Sequence, residues 1–165
     1  MTPDPPVSTS VTSRDGLELV PRAYDHPDVV DLVQALHSAQ LALYGVADHP
    51  DDIDAARFVP PNGLFVVGYR DGVPVAGGGW HRVDHETAEI KRMYVADEVR
   101  GHGYGRAVLA ELEQRAHAAG ATRLILETGV RNHRALALYR QAGYRSVSSY
   151  VPGRDPMINR AFVKQ

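Results

Sequence analysis

Between residues 88 and 127 the chain reads strand, glycine turn, helix, strand, and this succession limits the fold more than any other segment. Ala88-Glu-Ile-Lys-Arg-Met-Tyr-Val95 reads as a strand, with Glu89, Lys91, Met93 and Val95 expected on one face and Ala88, Ile90, Arg92 and Tyr94 on the other. From about Gly103 to Ala119, Tyr104, Val108, Leu112 and Ala116 recur three or four residues apart, the spacing of an amphipathic helix that Gly120 can end. Arg123-Leu-Ile-Leu-Glu127 is a brief, almost continuous apolar run, as expected of a strand buried on both faces. A helix between two strands makes them parallel, joined by a right-handed crossover. The chain is therefore mixed α/β.

The flanking segments add hairpins and helices. Leu17 to Val20 alternates as a short strand closed by Pro21, and from Pro27 the positions Val29, Val30, Val33, Leu36, Leu41 and Leu43 give a helix closed by Gly45. Leu64 to Tyr69 and Val73 to Arg82 form a hairpin around Asp71-Gly72. Gly77-Gly-Gly79 weakens the second strand, so a bulge or close backbone packing is expected there. Asn132 can cap a helix from His133 to Ala142, and Tyr144 to Tyr150 and Ile158 to Lys164 read as closing strands. Residues 1–15, with three prolines and many Ser and Thr, read as a loose tail, and 16–165 as a single domain.

Composition removes several classes of function. There is no cysteine, which excludes disulfides, Cys-ligated metals and a cysteine acyl-enzyme. The eight histidines include no HExxH pair, and His81 and His85 lack a clustered set of carboxylates, so no metal is expected. Met1 to Pro6 has neither a basic region nor an apolar core, and no apolar run reaches membrane-spanning length, so a cytoplasmic protein without membrane contact is expected. The net charge of −2 gives no reason to expect nucleic acid, but its distribution is uneven. Asp25 to Asp54 holds seven aspartates and no Lys or Arg, whereas Arg82 to Arg145 holds eleven basic residues against eight acids. Such a chain can draw a cation to one place and an anion to another.

Val99-Arg-Gly-His-Gly-Tyr-Gly-Arg106 lies where the first strand gives way to the helix. Glycines let the backbone approach a ligand, and a helix N-terminus offers unpaired N–H groups and a positive dipole end to phosphate. Two common phosphate loops fail on spacing. A Walker loop needs Gly-Lys-Ser/Thr, and a dinucleotide fingerprint counted from Gly101 and Gly103 needs a glycine where Arg106 stands.

Arg100-Gly-His-Gly-Tyr-Gly105 resembles the Gln/Arg-x-x-Gly-x-Gly/Ala signature of the GNAT superfamily of acyl-CoA-dependent N-acetyltransferases. The likeness spans roughly residues 64–150. It takes in the strand Glu89–Val95 and the block Asn132-His-Arg-Ala-Leu-Ala-Leu-Tyr-Arg-Gln-Ala-Gly-Tyr144. The resemblance implies a mostly antiparallel sheet of about six or seven strands around the parallel βαβ unit, with about four flanking helices. It also implies acetyl-CoA as acyl donor, with the turn Arg100, Gly101, His102, Gly103, Tyr104, Gly105 and Arg106 receiving the pyrophosphate. Met93, Tyr94 and Val95 would pair through their backbone with the pantetheine arm, and Asn132 would contact the cofactor, cap its helix, or both. Tyr139 falls where many such proteins place a general acid for the departing thiolate, and Glu89 where some keep a catalytic base.

The chemistry of these roles stands independently. A phenol near pKa 10 is protonated at pH 7 and can donate to a thiolate whose acid has a pKa near 8.5. A primary amine near pKa 10.4 is almost wholly ammonium at neutral pH, and its neutral form costs about 4.6 kcal/mol. Without cysteine the easiest acyl-enzyme is closed, so direct transfer within a ternary complex is expected. The acceptor is expected to be a small-molecule or peptide amine, cationic, and drawn to the acidic segment Asp48–Asp54. A homodimer is compatible with the resemblance. The other reading is a non-catalytic acyl-CoA sensor of the same fold. Trp80 can line the acceptor pocket or pack in the core.

Overall fold

In the computed structural model, which describes residues 10–12 and 15–165, eight strands form one sheet in the order β1-β2-β3-β4-β5-β6-β8-β7. They are β1 Val11–Thr12, β2 Glu18–Pro21, β3 Gly63–Arg70, β4 Val73–Arg82, β5 Thr87–Val95, β6 Arg123–Gly129, β7 Arg145–Val147 and β8 Asn159–Lys164. Every neighbouring pair is antiparallel except β5 and β6. Helix α2, Tyr104–Ala118, makes the crossover between those two, and α1 (Pro27–Tyr44) and α3 (His133–Gln141) complete the helices. None of the described helices is long and apolar enough to cross a membrane.

The counts differ slightly from the expected ones, for local reasons. Val11–Thr12 pairs with β2 and extends the sheet into the segment expected to be loose. The Asp-rich stretch after α1 forms two 3₁₀ turns, Pro50–Asp52 and Ala55–Phe58, in place of a further helix. His49 Nδ1 accepts from the Asp51 amide and Asp54 Oδ1 from the Ala56 amide, so each short turn is separately capped. The strand expected from Tyr144 to Tyr150 closes at Val147, and Tyr150 turns back toward β5.

The sheet carries a core on each face. Val66, Ile90, Leu112, Leu124, Tyr139 and Phe162 belong to the cluster that includes the buried sides of α2 and α3. Val29, Leu32, Val33, Phe58, Phe65 and Tyr69 form the cluster under α1. Trp80 lies 3% exposed in the first cluster, which settles its role as packing.

Both consequences expected of the triple glycine are present. A Cβ at Gly79 would lie 2.6 Å from Phe58 and one at Gly78 2.8 Å from the Met93 sulfur, so side chains from both cores press against bare backbone. Opposite, Arg92 takes the left-handed conformation at φ 61°, and the β4–β5 register shifts between Gly77 and Gly79. The extra residue corrects the expected faces of β5. Glu89 and Lys91 share a face, but beyond the bulge Met93 packs with the α2 core while Tyr94 turns to the α1 core. Such a backbone costs roughly 1–3 kcal/mol at a residue other than glycine. It sits where the sheet opens.

Candidate active site

The two parallel strands pair only over Thr87–Arg123, Ala88–Leu124 and Glu89–Ile125. β5 continues to Val95 and β6 to Gly129, so beyond Glu89 the two strands splay. The gap opens into a cleft of about 1510 Å³ walled by Ile90 to Val95 on one side and Glu127 to Gly129 on the other. The C-terminal part of α1 flanks it, with the glycine turn and the face of α3 that bears Tyr139. Tyr44 of α1 is fixed there: its hydroxyl accepts from the Arg131 amide at 3.0 Å, and the Arg131 guanidinium donates to the Leu43 carbonyl at 2.8 Å.

The glycine turn is built as phosphate requires. Gly101 and Gly103 have φ of 86° and 78°, and Gly103 is the N-cap of α2 with no side chain bonding the first helical amides. Those N–H groups stay available at the positive end of a 15-residue helix. Arg100 is held by Asp97 at 2.7 Å and Arg106 donates to Gln141 at 3.0 Å, so the cations frame the turn and the backbone presents the donors. Of the residues expected at the cofactor, Met93, Tyr94, Val95, Arg100, Gly101, Gly103, Tyr104, Gly105, Arg106 and Asn132 line the cleft. His102 does not; its ring lies 5.6 Å from that of Tyr104. Asn132 Oδ1 accepts from the Ala135 amide at 3.2 Å, so it caps α3 while bordering the cleft.

Tyr139 and Glu89 are placed very differently. The Tyr139 ring is 4% exposed and packs edge-on to Tyr144 and beside Phe162, yet it lines the cleft. Its hydroxyl has no hydrogen-bond partner among the described residues. Burial raises its pKa further above the ordinary phenol value, so it holds its proton at every working pH. Glu89 is 7% exposed and does not line the cleft. His81 Nε2 donates to one of its oxygens at 2.9 Å and the Tyr150 hydroxyl to the other at 2.6 Å. Burial opposes the Glu89 charge, but the His81 bond, the field of Lys91 and the Tyr150 bond outweigh it and hold the carboxyl below its usual pKa.

Sequence reasoning passed over one cluster at the other end of the cleft. Arg154, from the loop between β7 and β8, makes a bidentate pair with Asp48 at 2.8 and 2.6 Å. The same guanidinium donates twice to Glu127 on β6 at 3.2 Å. The Arg154 bond, against some burial, lowers the pKa of Asp48, with Lys91 and Arg92 adding to the effect. Within the segment expected to attract a cation, Asp48 is paired with Arg154, Asp52 accepts from the His49 amide and Asp54 caps its own turn, while Asp51 stands exposed. The pairing of Arg154 with Asp48, across 106 residues, was not readable from the chain. No group of three or more potential metal ligands occurs among the described residues.

Comparison with known proteins agrees with this geometry. The model of the acetyltransferase (GNAT) family matches residues 29–144. An "IAA acetyltransferase" of Azospirillum brasilense is 36% identical over 132 residues, covering 78% of this chain and 85% of the relative. Among solved structures, one from Klebsiella pneumoniae assigned as an acyl-CoA N-acyltransferase superposes with a TM-score of 0.78 at 24% identity, covering 92% of this chain and 98% of its own. A GNAT acetyltransferase from Elizabethkingia anophelis with acetyl-CoA bound superposes with a TM-score of 0.65 at 18% identity, covering 91% and 98%. The cleft between the splayed strands, the bare N-terminus of α2 and the match over most of the chain lead to one conclusion: this protein belongs to the GNAT acetyltransferase family.

Proposed function

We propose that the protein transfers an acetyl group from acetyl-CoA to a primary amine by direct attack within a ternary complex. The carrying observation is that one cleft joins an uncapped helix N-terminus, a parted strand pair and an unpartnered tyrosine hydroxyl. The amides of the turn from Gly101 to Gly105 hold the diphosphate, and the free edge of β5 beyond the bulge receives the pantetheine arm. The acyl donor bound in this way supplies an activated carbonyl. Tyr139 then hydrogen-bonds the sulfur as charge develops on it.

Deprotonation of the amine is assigned to solvent in the open cleft. A proton passed from an ammonium near pKa 10.4 to a carboxylate at or below the usual value climbs at least about 8 kcal/mol, against about 4.6 kcal/mol for release to water at pH 7. Glu89 therefore becomes a positioning residue, which anchors His81 and Tyr150 where the strands begin to part. Because its folded pKa is lowered, its stabilisation is complete above the unfolded carboxyl value and is lost as pH falls through the folded one. Glu89→Gln should accordingly cost roughly 1–3 kcal/mol at neutral pH. Denaturant unfolding of both proteins should show the deficit shrinking in acid, while a deficit that grew there would refute the assignment.

The acyl-transfer reading is tested by following thiol release from acetyl-CoA across a panel of amines, with calorimetric titration of CoA alongside. Amine-dependent thiol release supports it. CoA binding without release by any amine identifies the sensor instead, and absence of binding overturns both.

A further inference from the structure

At the acceptor end of the cleft, the acids are held by direct contacts, while Lys91, whose field reaches Glu89 and Asp48, makes no direct polar contact of its own among the described residues. Asp48 and Glu127 share the Arg154 guanidinium, and Asp155 accepts from the Met157 amide. Lys91 stands on β5 where the strands part, half-buried and lining the cleft, with neither hydrogen bond nor ion pair among the described residues. Next to it, Arg92 donates through one terminal nitrogen to the His49 carbonyl at 3.3 Å, while its Nε is buried without an acceptor. The Lys91 ammonium therefore stands with donors to spare on the cleft wall, just beyond the last residue at which β5 and β6 pair. A half-buried ammonium keeps its charge at lowest cost when an anion joins it. The opposite wall is apolar, formed by Leu36, Ala39, Leu43, Val46 and Ile158.

We propose that the acceptor carries a carboxylate as well as its amine, on an apolar body, and that Lys91, with Arg92 beside it, reads that carboxylate. This rests on the acyl-transfer reading and narrows it to the amino-acid class. It also reverses the expected charge preference: the recognised group is an anion, and the Asp48 carboxylate of the acidic segment serves Arg154 instead.

Matched pairs isolate the carboxylate. Phenylalanine and 2-phenylethylamine, or leucine and 3-methylbutylamine, differ by that group alone. In thiol-release turnover the wild type should favour the amino acid in kcat/KM by about tenfold to a hundredfold, the range of one charge-assisted hydrogen bond. Lys91→Met should abolish most of that preference through KM, and Lys91→Arg should retain it, with thermal unfolding confirming that both variants fold. The carboxylate also changes the amine's own basicity, but identically for every variant, so the shift between variants decides.

A second arm needs no turnover: calorimetry of N-acetylphenylalanine against N-(2-phenylethyl)acetamide, with CoA present. Tighter binding of the acid that is lost in Lys91→Met supports the proposal, even if no amine releases thiol and the catalytic reading falls. Equal use of both amines with no Lys91-dependent binding of the acid overturns the proposal while acyl transfer stands. A preference that survives Lys91→Met overturns it as well.

Discussion

Tyr139→Phe should lower kcat by about a hundredfold or more, the usual loss when one positioned donor to a developing anion is removed. The phenylalanine keeps the ring against Tyr144 and Phe162, and the missing hydroxyl has no protein partner to leave unsatisfied. Stability and affinity for CoA should therefore change little, so the defect appears in kcat alone. The pH profile carries a second signature. Because burial keeps the phenol protonated well beyond its ordinary range, no alkaline fall in kcat should trace to Tyr139. Steady-state kinetics with thiol detection, from neutral pH to about pH 10, reads both. Full activity in the variant would remove Tyr139 from the chemistry.

Gly103 should show the second large effect. Its φ of 78° falls where glycine is at ease, Asn tolerable and a β-branched residue strongly disfavoured. A Cβ there would meet only Asp15, 3.9 Å away, so any effect comes from the backbone and not from crowding. Gly103→Asn, Gly103→Ala and Gly103→Val should weaken CoA binding in that order. The valine protein should lose about tenfold to a hundredfold, matching roughly 1–3 kcal/mol of backbone strain. Calorimetric titration of the series gives the ranking, and equal affinities across it would show that the turn's amides do not hold the diphosphate.

What could be read from the chain was whatever short-range physics decides. The parallel pair, its crossover helix and the hairpin at Asp71-Gly72 all follow from periodicity and turn residues within a few positions of one another. So does the cap at Asn132, whose dual placement at helix and cleft left both expected roles open. The faces of β5 were misjudged beyond Lys91 because a bulge at Arg92 depends on glycines in another strand, which alternation within β5 does not register. The partners of Glu89 were equally hidden. His81 and Tyr150 arrive from β4 and from the loop after β7, and only the fold brings them to its two oxygens. Lys91 passed as an ordinary charged strand residue for the converse reason: its significance lies in the pairing of Asp48 and Glu127 with a third group, Arg154, far along the chain.

The Arg154 bridge has a corollary for salt dependence. It ties the stretch after α1 to the β7–β8 loop, and Asp48 is 42% exposed, so water weakens the tie to on the order of 1 kcal/mol. Raising the ionic strength should therefore loosen the hold of one loop on the other, since the Asp48 carboxylate lies open to counter-ions.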